Sequence, residues 1–204
     1  MFLQSRTAAF GLVLLVVSAC GTTKSSVSAG GGEWLTPSPA LEQRLADEAK
    51  RMPWTHGIER VELIQWFASV GEPAYPTLLS MARDERRDVA SAGWAALGAT
   101  RDSRLVESLH AIPFQPSAAN RDLGLERARA LLRLGDWSAV PVLIAGLSDE
   151  RMMVRGLSIQ ALHEATHETF EYDARAEQPQ RAEAIARWRA WWQSRSQDTL
   201  LQKN

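Results

Sequence analysis

Apolar residues along the middle of the chain recur at helical spacing and break off at short polar turns. Between Glu126 and Leu162 the pattern runs through three helices: Leu131 and Leu134 in the first, Val140, Leu143, Ile144 and Leu147 in the second, Val154, Leu157, Ala161 and Leu162 in the third. Gly135-Asp136 separates the first pair, and a turn at Asp149 separates the next. A helical hairpin this short buries its apolar face only against copies of itself. Copies are present: the turn recurs at Gly71-Glu72, Arg101-Asp102, Gly135-Asp136 and, in degenerate form, Thr166-His167, at intervals of 30, 34 and 31 residues. That period predicts helices over residues 58 to 70 paired with 74 to 83, 85 to 98 with 102 to 111, 121 to 134 with 138 to 147, and 150 to 166 with a partner after a long connection. No stretch alternates with period two for long enough to predict a strand, so the fold class is all-α.

The two ends of the repeat region carry helices of their own. Ser38-Pro39 supplies an N-cap and a first-turn proline, Leu41, Leu45, Ala49 and Met52 form one apolar stripe, and Pro53 stops the helix. This helix is expected to cap the first repeat, which has no neighbour on that side. At the other end, Gln180 to Ser196 places Ile185, Trp188 and Trp192 on one helical face, with Trp191 beside them. The stripe is expected to seal the open end of the core; the alternative is an aromatic platform for a glycan or a partner protein.

The repeats line up with one another. Val89 through Gly98 matches Val154 through His163, and Tyr75-Pro76-x-Leu78 matches Val140-Pro141-x-Leu143. On Val154-Arg155, Ala96-Leu97-Gly98, Leu134-Gly135-Asp136 and Val140-Pro141-x-Leu143, the chain resembles the bacterial HEAT-repeat family, including its short phycobilisome-lyase-like variants. The resemblance covers residues 58 to 167 and implies a right-handed α-α superhelix of about four hairpins. Phe170-Glu171-Tyr172-Asp173 and the Arg- and Trp-rich sequence after it look like a terminal segment of some bacterial HEAT proteins. Ala90 and Gly124 depart from the family, which often has Arg there, and residues 113–120 are an insertion in the second repeat.

The N-terminus has a different character. Residues 1–7 carry one positive charge, Arg6, and no acid; Ala8 to Val17 is apolar, and Val17-Ser18-Ala19-Cys20 follows. Ten apolar residues are too few to span a bilayer, so residues 1–19 are expected to be a cleaved secretory signal. The small residues before the chain's single cysteine resemble a bacterial lipobox, which implies cleavage before Cys20 and lipidation of its thiol. Residues 20–37, rich in Gly, Ser and Thr, are then a flexible tether, residues 38–196 the folded domain and residues 197–204 a polar tail. In proteobacterial lipoproteins an Asp after the lipidated cysteine favours inner-membrane retention. By that resemblance, Gly21 directs the chain to the outer membrane, facing the periplasm.

Charge and motifs narrow the functional classes. Loss of residues 1–19 leaves 22 of the 23 basic residues against 24 acidic ones, a formal charge of −2, which argues against a nucleic-acid partner. Arg83, Arg86, Arg87, Arg127, Arg129 and Arg133 alternate with acids along helices and are expected to form a solvated surface. His163-Glu164-Ala165-Thr166-His167 matches HExxH, in which two histidines one turn apart bind zinc and the glutamate activates water. At 100° per residue, however, His163 lies about 170° and His167 about 150° from the centre of the apolar stripe on that helix, so both are expected at the surface. A zinc metallopeptidase and a lyase-like protein therefore stand as alternatives to a non-enzymatic binding module. No cofactor and no metal is expected.

In a HEAT-like stack, the resemblance implies, the second helices line the concave side. Leu78, Leu79, Leu105, Leu109, Leu143 and Leu147 are their core positions, which exposes Thr77, Ser80, Glu107, His110, Val142 and Ala145. These six residues are the expected protein-binding face, and the expected partner is an unidentified envelope protein. Such a small-residue face suits a helix or an extended peptide better than a polyanion. The insertion at 113–120 and the Trp helix are the competing surfaces.

Overall fold

The structure, a computed structural model, describes residues 34–201. The signal segment, Cys20 and most of the expected tether lie outside the described residues. All regular structure among the described residues is helical: α1 (Pro39–Arg51), α2 (Gly57–Val70), α3 (Tyr75–Ala82), α4 (Arg87–Ala99), α5 (Leu105–His110), α6 (Arg121–Arg133), α7 (Val140–Gly146), α8 (Met152–Thr166) and α9 (Gln178–Leu201). None of these helices is long and apolar enough to cross a membrane.

Helix α1 begins where the side chain of Ser38 accepts a hydrogen bond from the Leu41 N–H at 3.3 Å, with Pro39 next to the cap. It ends in a 3-10 turn, Met52–Trp54, that contains Pro53. Trp34 ends the tether earlier than the composition suggests: it packs edge-on against Tyr75 at 4.9 Å between ring centroids.

Helices α2, α4, α6 and α8 pack side by side in succession; α3 lies against α4, and α7 lies against both α6 and α8. Helix α1 covers α3 at one end and α9 covers α7 at the other. Leu78, Leu105, Leu109, Leu143 and Leu147 are fully buried and Leu79 nearly so, as the periodicity requires. Two glycines set the closest approaches: Gly93 lets α4 meet the backbone of Met81 and Ala82, and Gly98 lets α4 meet Ala130 of α6.

The turns after α2, α4, α6 and α8 each carry a residue with positive φ: Gly71 (φ 72°), Arg101 (φ 56°), Gly135 (φ 91°) and His167 (φ 62°); of the four helix pairs expected from the sequence, α6 and α7 are the pair that packs closely. The last turn falls at His167 rather than Thr166, because α8 continues helical through Thr166. Acids at these turns reach side chains of other turns and helices. The Tyr75 hydroxyl donates to Asp102 at 2.9 Å; burial, with this bond second, pushes the phenol up to about 12. His110 Nε2 lies 2.7 Å from Asp136, and Arg104 bridges Asp102 and Glu72. Arg155, of the Val-Arg motif, is buried and donates to the carbonyls of Asp149, Glu150 and Ala174 at 2.7–2.9 Å, which ties the α7–α8 turn to the segment before α9.

Two elements differ most from their expected lengths. Helix α5 spans only Leu105–His110 instead of 102 to 111, because Asp102 folds back to accept the Arg104 N–H at 3.0 Å and uses the first residues as a turn. Helix α9 runs to Leu201, past the expected end at Ser196.

Candidate functional site: a groove between the insertion and the third hairpin

The insertion after α5 is braced from within. Ser117 N–H donates to Asn120 Oδ1 at 2.8 Å, and Asn120 Nδ2 donates to the Gln115 carbonyl at 2.6 Å. These bonds start the 3-10 turn Ala118–Asn120, which leads into α6. Phe114 then folds back over Gly124, where an added Cβ would come within 3.1 Å of the ring. Glycine at 124 gives the Phe114 ring room to lie against α6.

Between this insertion and α7 the surface opens into a groove of about 460 Å³. Its floor is Leu125, Ala128 and Leu131 of α6, its near wall Phe114 and Pro116, and its far wall Ala139, Val142 and Ala145. Val142 is 52% exposed, so the rim is open to solvent, whereas the floor residues are buried. Helix α5 packs against no other helix as closely as α3 does against α4 or α7 against α8.

Three charged side chains line the groove: Arg121, Arg127 and Asp149. Burial alone would raise the Asp149 carboxyl, but hydrogen bonds from the Arg151 side chain and backbone and the charges of Arg151 and Arg121 outweigh it and hold the group below the usual range. Arg121 lies 3.8 Å from Asp149. Arg127 is different: its Nη1 donates to the Ile112 carbonyl at 2.9 Å, and its guanidinium sits 4.8 Å from the Trp94 ring centroid and 5.5 Å from that of Phe114. Desolvation in this half-buried position lowers its pKa.

Of the six residues marked in the sequence as a binding face, the structure brings Val142 and Ala145 together at this groove. Ser80, Glu107 and His110 are exposed and Thr77 is half-buried, but none of these four lines it. His110 is engaged with Asp136, whose carboxyl burial alone would raise. Hydrogen bonds from Ser138 and His110 hold it below the usual range instead. The insertion that holds Phe114 is one of the competing surfaces named from the sequence; Arg127 and the part played by Gly124 are not. Of the six arginines expected to form a solvated surface, Arg83, Arg86 and Arg87 are exposed, but Arg127, Arg129 and Arg133 are half-buried. The available signal was Gly124 one turn before Arg127, a small residue where a flanking insertion can approach.

A second groove, about 690 Å³, crosses the other side of the domain over α2, α4, α6 and α8. Its charges are paired internally: Arg60 meets Asp88 at 3.1 Å, Arg129 meets Glu126 at 2.6 Å, and Glu164 takes Arg101 at 2.5 Å and Arg133 at 3.1 Å. Glu164 is the glutamate of the HExxH sequence, so two guanidiniums occupy the carboxylate that would have to activate water. His163 and His167 are exposed, with ring centroids 6.4 Å apart, and no group of three His, Cys, Asp or Glu among the described residues is placed to hold a metal ion. His167 is a left-handed helix cap, a position that costs a side chain about 1 kcal/mol or more and suits glycine. His167→Gly should accordingly raise stability by roughly 0.5–1 kcal/mol, read as a higher melting temperature.

No family model, curated protein or solved structure matches the chain.

Proposed function

We propose that the chain is a lipid-anchored envelope protein whose HEAT-like helical domain acts as a protein-binding scaffold or accessory subunit. The observation that carries this reading is the groove: Val142 and Ala145 stand on its open rim, at second-helix positions free of core packing. Stacked helical hairpins present such faces to a helix or an extended peptide. The succession α2, α4, α6, α8 with α3 and α7 beside it suits that architecture. Thr77 and Ser80 on α3 and Glu107 and His110 on α5 belong to the same proposed binding face, although none of the four lines the groove. Cys20 is the anchor in this reading, with the domain held at the outer membrane on the periplasmic side. The two guanidiniums on Glu164 and the left-handed His167 weigh against zinc peptidase chemistry.

The test combines two substitutions. Val142→Glu with Ala145→Glu should leave the helical spectrum and melting temperature unchanged, since exposed changes usually fall within about ±0.5 kcal/mol, and should abolish co-purification of the partner from envelope membranes. Binding that survives both changes but is lost on deletion of 114–119 would move the site to the insertion. Cys20→Ser should release the protein to the soluble fraction or leave it unprocessed; unchanged processing with full membrane retention would remove the anchor from the account.

A further inference from the structure

Among the described residues, Arg127 is the charged group of the groove that has no opposite charge beside it. Arg121 and Asp149 face each other, and Asp149 also holds Arg151. The Arg127 guanidinium carries five N–H donors, of which one is used, toward the Ile112 carbonyl. Its two flanking rings, Trp94 and Phe114, stabilise the cation through their faces but offer no acceptor to its remaining N–H groups. A half-buried cation beside an apolar recess favours an anion there, because the charge is already partly desolvated and the pair is screened less than at the open surface.

The recess itself has ligand dimensions. About 460 Å³ lies within the range of small-molecule clefts, roughly 300–1,000 Å³, and the lining has the usual composition, apolar walls with few polar groups. Leu125, Ala128 and Leu131 form a floor deeper than the rim at Val142 and Ala145. We propose that this floor binds a small monoanion with an apolar body, of the medium-chain carboxylate class, its carboxylate paired with Arg127 and its chain laid along Leu125, Ala128 and Leu131. The site goes beyond the docking of a protein on the rim: it is complete in the isolated chain and needs no partner.

The experiment uses the full chain with Cys20→Ser, so that no detergent competes, and calorimetric titration with decanoate, 1-decanol, decyltrimethylammonium and acetate. Decanoate should bind one to one, decanol about tenfold or more weakly, as expected for loss of one charge-assisted pair, and the cation and acetate not measurably. Arg127→Met should bring decanoate down to the affinity of decanol, and Val142→Trp, which fills the groove from its exposed rim, should block both. If Arg127→Met does not fold, the order of the four probes on the Cys20→Ser chain and the Val142→Trp block decide the matter without it. Equal binding of decanol and decanoate, or decanoate binding untouched by Val142→Trp, would overturn the proposal. So would saturable binding of a short peptide with a C-terminal leucine carboxylate where decanoate gives none, which would assign the recess to a chain terminus. Failure here leaves the rim-docking test, which is read in envelope membranes, unaffected.

Discussion

Trp188→Ala should destabilise the domain by about 3–5 kcal/mol, the range for removing a fully buried aromatic side chain. Trp188 has no exposed surface, and its neighbours on α9, Ala184 and Ile185, are buried with it. Its ring meets Phe170 edge-on at 4.7 Å and Trp191 at 5.5 Å, so truncation would empty the contact that holds the segment before α9 against the helix. The indole N–H has no hydrogen-bond partner, which makes the loss one of packing. Trp188→Phe should therefore cost clearly less than the alanine, and Trp191→Ala less again, because Trp191 is only half-buried. Urea titration of the three variants checks the order; for a domain of this size the first corresponds to a drop in melting temperature on the order of 10 °C. A Trp188→Ala protein of native stability that had lost its partner would restore the aromatic-platform alternative.

Gly98→Ala and Gly93→Ala should each cost about 3 kcal/mol, at the upper end for overpacking. Alanine is the better helix former by roughly 1 kcal/mol, so propensity alone predicts a gain. Geometry reverses it. A Cβ at 98 would lie 2.7 Å from Ala130 Cα, and one at 93 would lie 2.6 Å from the Ala82 backbone nitrogen. Both obstacles are main chain and cannot rotate away, so α4 would have to separate from α6 or α3. Gly156→Ala is the control: an added Cβ on α8 meets nothing within 4 Å, and the same substitution there should stabilise by roughly 0.5–1 kcal/mol. Thermal unfolding of the three variants reads the change of sign directly.

The helices and their turns were legible in the sequence because one physical requirement, burial of a 3.6-residue apolar stripe, repeats along the chain. The turn positions chosen from Gly71, Arg101 and Gly135 are those with positive φ, even where the residue is arginine. The fourth was misplaced by one residue because nothing in Thr166-His167-Glu168 marks which side chain accepts a left-handed backbone. Surface placement of His163 and His167 followed from helical angles alone, and both are exposed. The groove was only half legible. Val142 and Ala145 came from the spacing of α7, but the opposite wall depends on how residues 113–120 fold back, and that is set by Ser117, Asn120 and the space over Gly124 rather than by any periodic signal. Arg127 escaped for the same reason: its burial comes from Trp94 and Phe114, which are distant in sequence. One recurrent signal was present and unused. Asp-x-Arg stands at 84–86, 102–104, 149–151 and 173–175, and at each the aspartate accepts the arginine's backbone N–H at 2.8–3.0 Å; in the first three the arginine is the residue just before the next helix.

The central claim is that the rim formed by Val142 and Ala145 receives a protein partner at the envelope. Site-specific photo-cross-linking in intact envelopes tests it, with the reactive side chain placed at Val142 or, across the domain in the charged groove, at Gln160. The account predicts a discrete protein adduct from Val142 in the membrane fraction, lost when Ala145→Glu is added, and none from Gln160. The same adduct from Gln160, with none from Val142, would contradict it.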